Sequence, residues 1–271
     1  MPRARASYLT MNHLLTHITA SVGRITLNRP DVRNAFHDEV IAEITQAFQD
    51  MGKNPDVRCI VLAAEGSTFC AGADLNWMRR MAGYSYDENL ADAGKLAAML
   101  HTIATCPKPT VARVQGDVYA GGTGLVAACD IAVAVDAAHF CVSEVKIGLI
   151  PATISPYLIR AMGVRAAQRY WLTAERFSAV QAHQIGLISE VTTHEGLDTV
   201  IHQLCSALCL ASPEAIQSTK RLIEAVAARP ITHDLMAHTV KEIAVARSSA
   251  DGKEGVQAFL QKRLPNWIEH H

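Results

Sequence analysis

The chain has almost no net charge: 25 Lys and Arg stand against 26 Asp and Glu, a formal −1 over 271 residues. A broad surface for nucleic acid or anionic membrane is therefore not expected, although a local basic patch could hold one anionic ligand. No apolar run approaches the length of a membrane span. The opening MPRARASYLT has no apolar core of signal-peptide type, and its arginines are too few for a transit peptide. A soluble, cytoplasmic, reducing setting is the expectation. Internal repeats and low-complexity linkers are also missing. The seven cysteines are odd in number and scattered, mostly within apolar runs, which reads as reduced buried thiols. Cys205 and Cys209 lie one helical turn apart, but no neighbouring His or Cys completes a metal site. The twelve histidines are dispersed too, so no metal is expected.

What is present is a large apolar share, 49%, with 19% charged residues. That suffices for one large core with an appended helical piece. Leu14–Ala20 and Arg24–Asn28 read as a hairpin about Val22-Gly23, and Asp38–Phe48 has helical spacing. Cys59–Ala64, Thr110–Val114 and Ile131–Val135 read as buried strands. Asn76–Met81, Glu88–Ile103 and Leu125–Cys129 read as helices, and Phe140–Pro151 as strand and loop. From Ile154 onward the pattern is almost wholly helical. Strands alternating with helices, then helix after helix, predict an α/β core over residues 1–195 and a helical region over 196–271.

Four segments carry chemistry. Phe69–Leu75 is a small-residue loop after a buried strand; its backbone N–H groups favour negative charge, yet Asp74 there equally suits a helix cap. Gly116–Gly124 follows another buried strand. Two such loops could each donate one N–H to the same oxygen, or they could be two close-packing turns. Glu144 stands among apolar residues twenty positions after Gly124. Partial burial would suit it to proton transfer; pairing with Lys146 or an arginine is the plainer alternative. Phe259 and Lys262 share one face of a C-terminal helix, where they could hold an adenine and a phosphate, or simply close an amphipathic helix.

In this order the segments resemble the enoyl-CoA hydratase/isomerase, or crotonase, family. The carrying residues are Ile25–Pro30 with Arg33-Asn34-Ala35, Phe69–Leu75, Lys108–Gly124, Cys129-Asp130, Glu144, Ile147–Pro151, Leu172-Thr173-Ala174 and Glu254–Arg263. Within the family, Ala73–Met78, Ser143–Leu149, Ile154-Ser155-Pro156 and Leu172–Phe177 are most similar to bacterial methylglutaconyl-CoA and isohexenylglutaconyl-CoA hydratases.

The resemblance implies a repeated ββα spiral core with a helical trimerisation region, and trimers or hexamers. It implies that Ala73 and Gly121 hold the thioester oxygen through their N–H groups. Val32, Arg33, Ala35, Ala71, Asp74, Leu75, Gly122 and Gly124 would line the acyl-CoA site, with Phe259 and Lys262 reaching the CoA of their own or a neighbouring subunit. Glu144 matches one catalytic glutamate of typical hydratases, whereas the other falls on Gly124. That glycine either opens space for a branched or carboxylated acyl chain or marks a single-glutamate isomerase. The implied activity is reversible hydration of a 2-enoyl-CoA, with 3-enoyl-CoA isomerisation as the alternative and a non-catalytic acyl-CoA binder as the rival from another class. CoA would arrive as part of the substrate and no other cofactor is implied. Arg79 or Arg80 could pair with a distal acyl carboxylate or merely solvate a helix face.

Overall fold

The computed structural model describes residues 11–268. Residues 1–10 and 269–271 lie outside the described residues. The elements run β1 Leu14–Thr19, β2 Val22–Leu27, α1 Asp38–Lys53, β3 Cys59–Ala64, β4 Thr68–Cys70, α2 Leu75–Met81, α3 Tyr86–Ala104, β5 Thr110–Val114, β6 Asp117–Tyr119 and α4 Gly121–Ala128. There follow β7 Ile131–Val135, β8 His139–Cys141, α5 Ser155–Thr173, β9 Phe177–Ser178, α6 Ala179–Gln184, β10 Glu190–Thr192, α7 Leu197–Leu210, α8 Pro213–Val226, α9 His233–Ser248 and α10 Ala250–Leu260.

From β3 to β8 successive strands alternate between two sheets. A six-stranded sheet has the order β1-β2-β3-β5-β7-β10, and a four-stranded sheet the order β4-β6-β8-β9. From β2 to β10 the large sheet is parallel, with β1 antiparallel at its edge. The pairs β3–β4, β5–β6 and β7–β8 each place their first strand in the large sheet and their second in the small one, and the chain advances as a spiral. Parallel strands covered on both faces read as continuous apolar runs. β3, Cys-Ile-Val-Leu-Ala-Ala, is buried at every position. Phe36, Phe48, Phe69, Phe140 and Phe177 are among the largest fully buried side chains of the core.

Several local expectations shift. The β1–β2 turn is made by Ala20 and Ser21, both at positive φ (47° and 62°), rather than by Val22-Gly23. Two such residues supply the left-handed pair that matches a hairpin's twist. β4, β6, β9 and β10 fall where loop or helix was expected. Each is two or three residues long, too short to show an alternation. α5 is broken at Gly163, where φ is 74°. Lys220 of α8 pairs with Asp130 at 2.6 Å, tying the terminal helices to the start of β7. All seven cysteines are free.

Candidate active site

The small sheet positions the site. β4, β6 and β8 are parallel neighbours, so the chain leaves all three at the same edge. The first exit carries Ala71–Leu75, the second Ala120–Gly124 and the third Ser143-Glu144. Sheet topology thereby gathers three segments that lie far apart in sequence, from Ala71 to Glu144.

The first exit is braced by Arg29–Phe36. Ala71 N–H donates to the Arg33 carbonyl, Phe36 N–H to that of Gly72 and Asp74 N–H to that of Phe36, each at 2.9 Å. Ala35 is buried, Val32 and Arg33 are exposed, and all three are thus held beside Ala71–Leu75. Ala73 N–H, between these bonded neighbours, donates to no acceptor among the described residues. Gly72 sits at φ +87°, and a Cβ there would come 3.0 Å from Ala120 Cβ and 3.7 Å from Gly121 N. The two exits are therefore in van der Waals contact, and only a glycine permits it.

The Asp74 carboxylate accepts from Asn76 N–H at 2.8 Å, Trp77 N–H at 3.4 Å and Arg29 Nη2 at 3.0 Å. Burial alone would raise its pKa, but the bonds from Asn76, Arg29 and Trp77 outweigh that and hold it below the ordinary carboxylate value. Its side chain is committed to capping α2 and to Arg29, and the residue is only 6% exposed. Asp74 thus fixes the loop from within. Leu75 opens α2 and is exposed.

The glycines of the second exit are the first turn of α4, not a turn before a helix. Gly121 is the first helical residue, so its N–H has no intrahelical acceptor and points out of the positive end of the helix. Ala120 before it has φ 47° and ψ −125°, a strained backbone for a residue with a Cβ. Bonds from Ala120 N–H to the Cys141 carbonyl (2.8 Å) and from Thr123 N–H (2.9 Å) and Oγ1 (2.6 Å) to the Ala120 carbonyl hold it there. The Phe36 ring lies directly under Gly121, where a Cβ would come 2.6 Å from Cζ. Gly122 is buried against Cys70.

Gly124 requires a correction. The space a side chain would take is already filled by Ile154, whose Cβ lies 2.8 Å from the position of a Gly124 Cβ, with Leu100 behind. Ile154 is 1% exposed. Gly124 thus does not open room for an acyl branch; it admits an isoleucine from the start of α5.

Glu144 begins a single helical turn, Glu144–Ile147, after β8. Its Oε2 is shut off from solvent and has no hydrogen-bond partner. No ion pair joins it to Lys146 or to an arginine among the described residues. Burial pushes its pKa up, and hydrogen bonds from its own and the Ser143 backbone only partly oppose this. The following Ile147, Leu149 and Ile150 are exposed apolar residues.

Phe259 is 82% exposed on α10 and Lys262 follows it at φ 56°. α10 packs on α8 and α9, and no hydrogen bond or ion pair brings these two residues to the loop cluster among the described residues. The single chain does not gather them with the others. Arg80 pairs with Asp38 and Arg79 bonds Asn76, both on an exposed face. A cleft of about 340 Å³ between Pro107–Pro109, Arg58 and the start of α8 shares no lining with the cluster. Sequence reasoning missed Phe36, Ala120 and Ile154. Nothing in their local pattern announces them; they matter through what they touch.

Two N–H groups without an acceptor among the described residues on adjacent parallel-strand exits, with a half-buried carboxylate whose Oε2 is unpartnered on the third, define an α/β protein equipped to hold an oxygen as charge builds on it and to move a proton. The family model described as enoyl-CoA hydratase/isomerase matches residues 17–270. The chain belongs to the enoyl-CoA hydratase/isomerase family. It is 35% identical over 245 residues to the enoyl-CoA hydratase AKT6-1 of Alternaria alternata, covering 90% of this chain and 80% of that one. It is 30% identical over 259 residues to the 1,2-epoxyphenylacetyl-CoA isomerase of Escherichia coli, covering 95% and 98%. The crystal structure of an enoyl-CoA hydratase from Shewanella pealeana superposes with a TM-score of 0.92 at 41% identity, over 94% of this chain and 96% of that one. No helix among the described residues is long and apolar enough to cross a membrane.

Proposed function

We propose that the chain is an enoyl-CoA hydratase that adds water reversibly across a 2-enoyl-CoA double bond. The observation that carries this is the shielded, unpartnered Oε2 of Glu144 on the strand exit next to that of Gly121. The thioester oxygen accepts hydrogen bonds from the N–H groups of Ala73 and Gly121. Glu144, ionised, takes a proton from water as the oxygen adds at C3; the electron pair of the double bond moves onto the thioester oxygen as an enolate. The carboxyl of Glu144 then returns the proton to C2, leaving a 3-hydroxyacyl-CoA. Each N–H donor to such an oxyanion is worth about 10²–10³ in rate. General acid–base transfer adds about 10²–10⁴.

A branched or carboxylated acyl group, such as methylglutaconyl, is the substrate class that the segments Ala73–Met78 and Ser143–Leu149 favour. The exposed Leu75, Ile147, Leu149 and Ile150 supply apolar surface for it. Trimers or dimers of trimers follow from the same reading. Ile223, Met236, Val240, Ile243, Val256 and Phe259 leave the terminal helices with uncovered apolar surface, and Phe259 and Lys262 would serve a neighbour's CoA. A second reading, 3-enoyl to 2-enoyl isomerisation, is favoured by the packing of Ile154 against Gly124, which leaves one carboxylate to move the proton. Incubation with 2-enoyl-, 3-enoyl- and methylglutaconyl-CoA in ¹⁸O water separates the two. Hydration gives a labelled hydroxyl, isomerisation gives none, and turnover retained by Glu144→Gln would overturn both.

A further inference from the structure

Away from the active-site carboxylate, the chain entering β1 meets the start of α1. We propose that His13, His37 and Glu39 form a binding site for a borderline divalent cation, Zn²⁺ or Co²⁺ in character, clamping those two elements together. One ligand atom from each of these three residues lies within 4.8 Å of the others. The His13 and His37 rings meet edge-on at 5.0 Å between centroids and 89° between planes. Donors sharing one tetrahedral ion stand about 3.3 Å apart, given metal–nitrogen distances near 2.0 Å. The existing spacing therefore closes with a small side-chain movement, and exposed Glu39 is free to make it.

Glu43, one turn further along α1, supplies the supporting interaction. Its carboxylate accepts from Asn12 N–H at 3.2 Å, from His13 N–H at 3.0 Å and from His13 Nδ1 at 3.1 Å. A carboxylate can only accept here, so the proton of a neutral His13 ring is on Nδ1 and the lone pair is left on Nε2. A carboxylate fixing one ring nitrogen so that the other can ligate is the usual outer partner of a metal-bound histidine. Two imidazoles and a carboxylate leave at least one position for water and suit zinc and its neighbours better than calcium or magnesium.

Two features oppose a cation. The site adjoins the positive end of α1, and the Arg29 guanidinium is nearby, though it is held by Asp74. The carboxylates of Asp38, Glu39 and Glu43 offset both. His37 Nδ1 also accepts a 3.2 Å capping bond from Glu39 N–H, which a ligating ring would surrender. That one long bond is small beside two imidazole ligands.

The test is a Co²⁺ titration of the full chain carrying His270→Ala and His271→Ala, read by visible absorption. The expected result is one equivalent bound, with d–d bands and no thiolate charge-transfer band, and with stabilisation to heat. His13→Ala and His37→Asn should each weaken binding about 10-fold or more, and Glu43→Gln should weaken it measurably. Asn still caps α1, so His37→Asn reports on the imidazole and not on folding. No binding at millimolar Co²⁺, binding unchanged in both histidine variants, or thiolate bands lost with Cys209→Ser would each overturn the site.

Discussion

Replacing Gly124 by alanine tests the packing that distinguishes this site. In an exposed helix the change would stabilise the protein by about 1 kcal/mol through helix propensity. Here a Cβ would fall onto Ile154 Cγ2, 2.8 Å from Ile154 Cβ and 3.5 Å from Leu100 Cδ2, and both neighbours are fully buried. Overpacking of that kind costs about 1–3 kcal/mol. A Cβ that falls onto buried Ile154 belongs to the upper half of that range, so net of the propensity gain Gly124→Ala should lose about 1–2 kcal/mol, a few degrees in Tm. Ile154→Ala alone should cost about 2–5 kcal/mol as a buried cavity. The double variant should cost less than the two singles added, because each change removes part of the other's penalty. Thermal and urea unfolding of the four proteins, at one concentration and with activity recorded, measures all of this. Gly124→Ala as stable as the parent, or a strictly additive double, would refute the account. The same overlap means that Gly124→Glu alone should not supply a second working carboxylate.

Glu144→Gln should reduce kcat at least 10²-fold, measured by loss of enoyl absorbance. Because burial raises the folded-state pKa, ionised Glu144 destabilises the fold: its favourable contribution is complete below the unfolded value of about 4.5 and is lost as pH rises through the raised value. Glu144→Gln should therefore melt higher than the parent at neutral pH, with the gap closing towards pH 4.5, and the acid limb of the rate profile should lie above an ordinary glutamate's. Gly72→Ala, strained at φ +87° and pressed on Ala120, should separate the two N–H groups and lower kcat/KM about 10²-fold or more, while CoA-ester binding by calorimetry survives. Asp74→Ala strips the cap of α2 and strands Arg29; a loss of about 3 kcal/mol is expected in urea unfolding, and Asp74→Asn should restore the cap but not the ion pair. An Asp74→Ala variant as stable as the parent would show that the loop is held by something else.

The legible elements were those with enough residues to display a period. β3, β5 and β7 coincide with their apolar runs because each is buried on both faces, and α1 and α3 extend the expected spans by a few residues. β4 and β6 were hidden inside the very loops that carried the chemistry, since three-residue strands show no alternation. The start of α4 was read as a turn because three of its first four residues are glycine, a poor helix former that packing against Cys70, Phe36 and Ile154 nonetheless requires.

Sequence by itself determined the alternation of long buried strands with helices, the resemblance to the family, and the residue types at Ala73, Gly121 and Glu144, because these rest on local pattern and spacing. Tertiary structure alone decided that three strand exits share one edge, since parallel pairing of β4, β6 and β8 joins segments far apart in the chain. It decided that Glu144 Oε2 has no partner and that no cation among the described residues pairs with this side chain, which depends on what folds towards it. It turned Asp74 inward and filled the space beside Gly124 with a residue thirty positions away. And it set His13 against His37, which linear spacing gave no reason to pair.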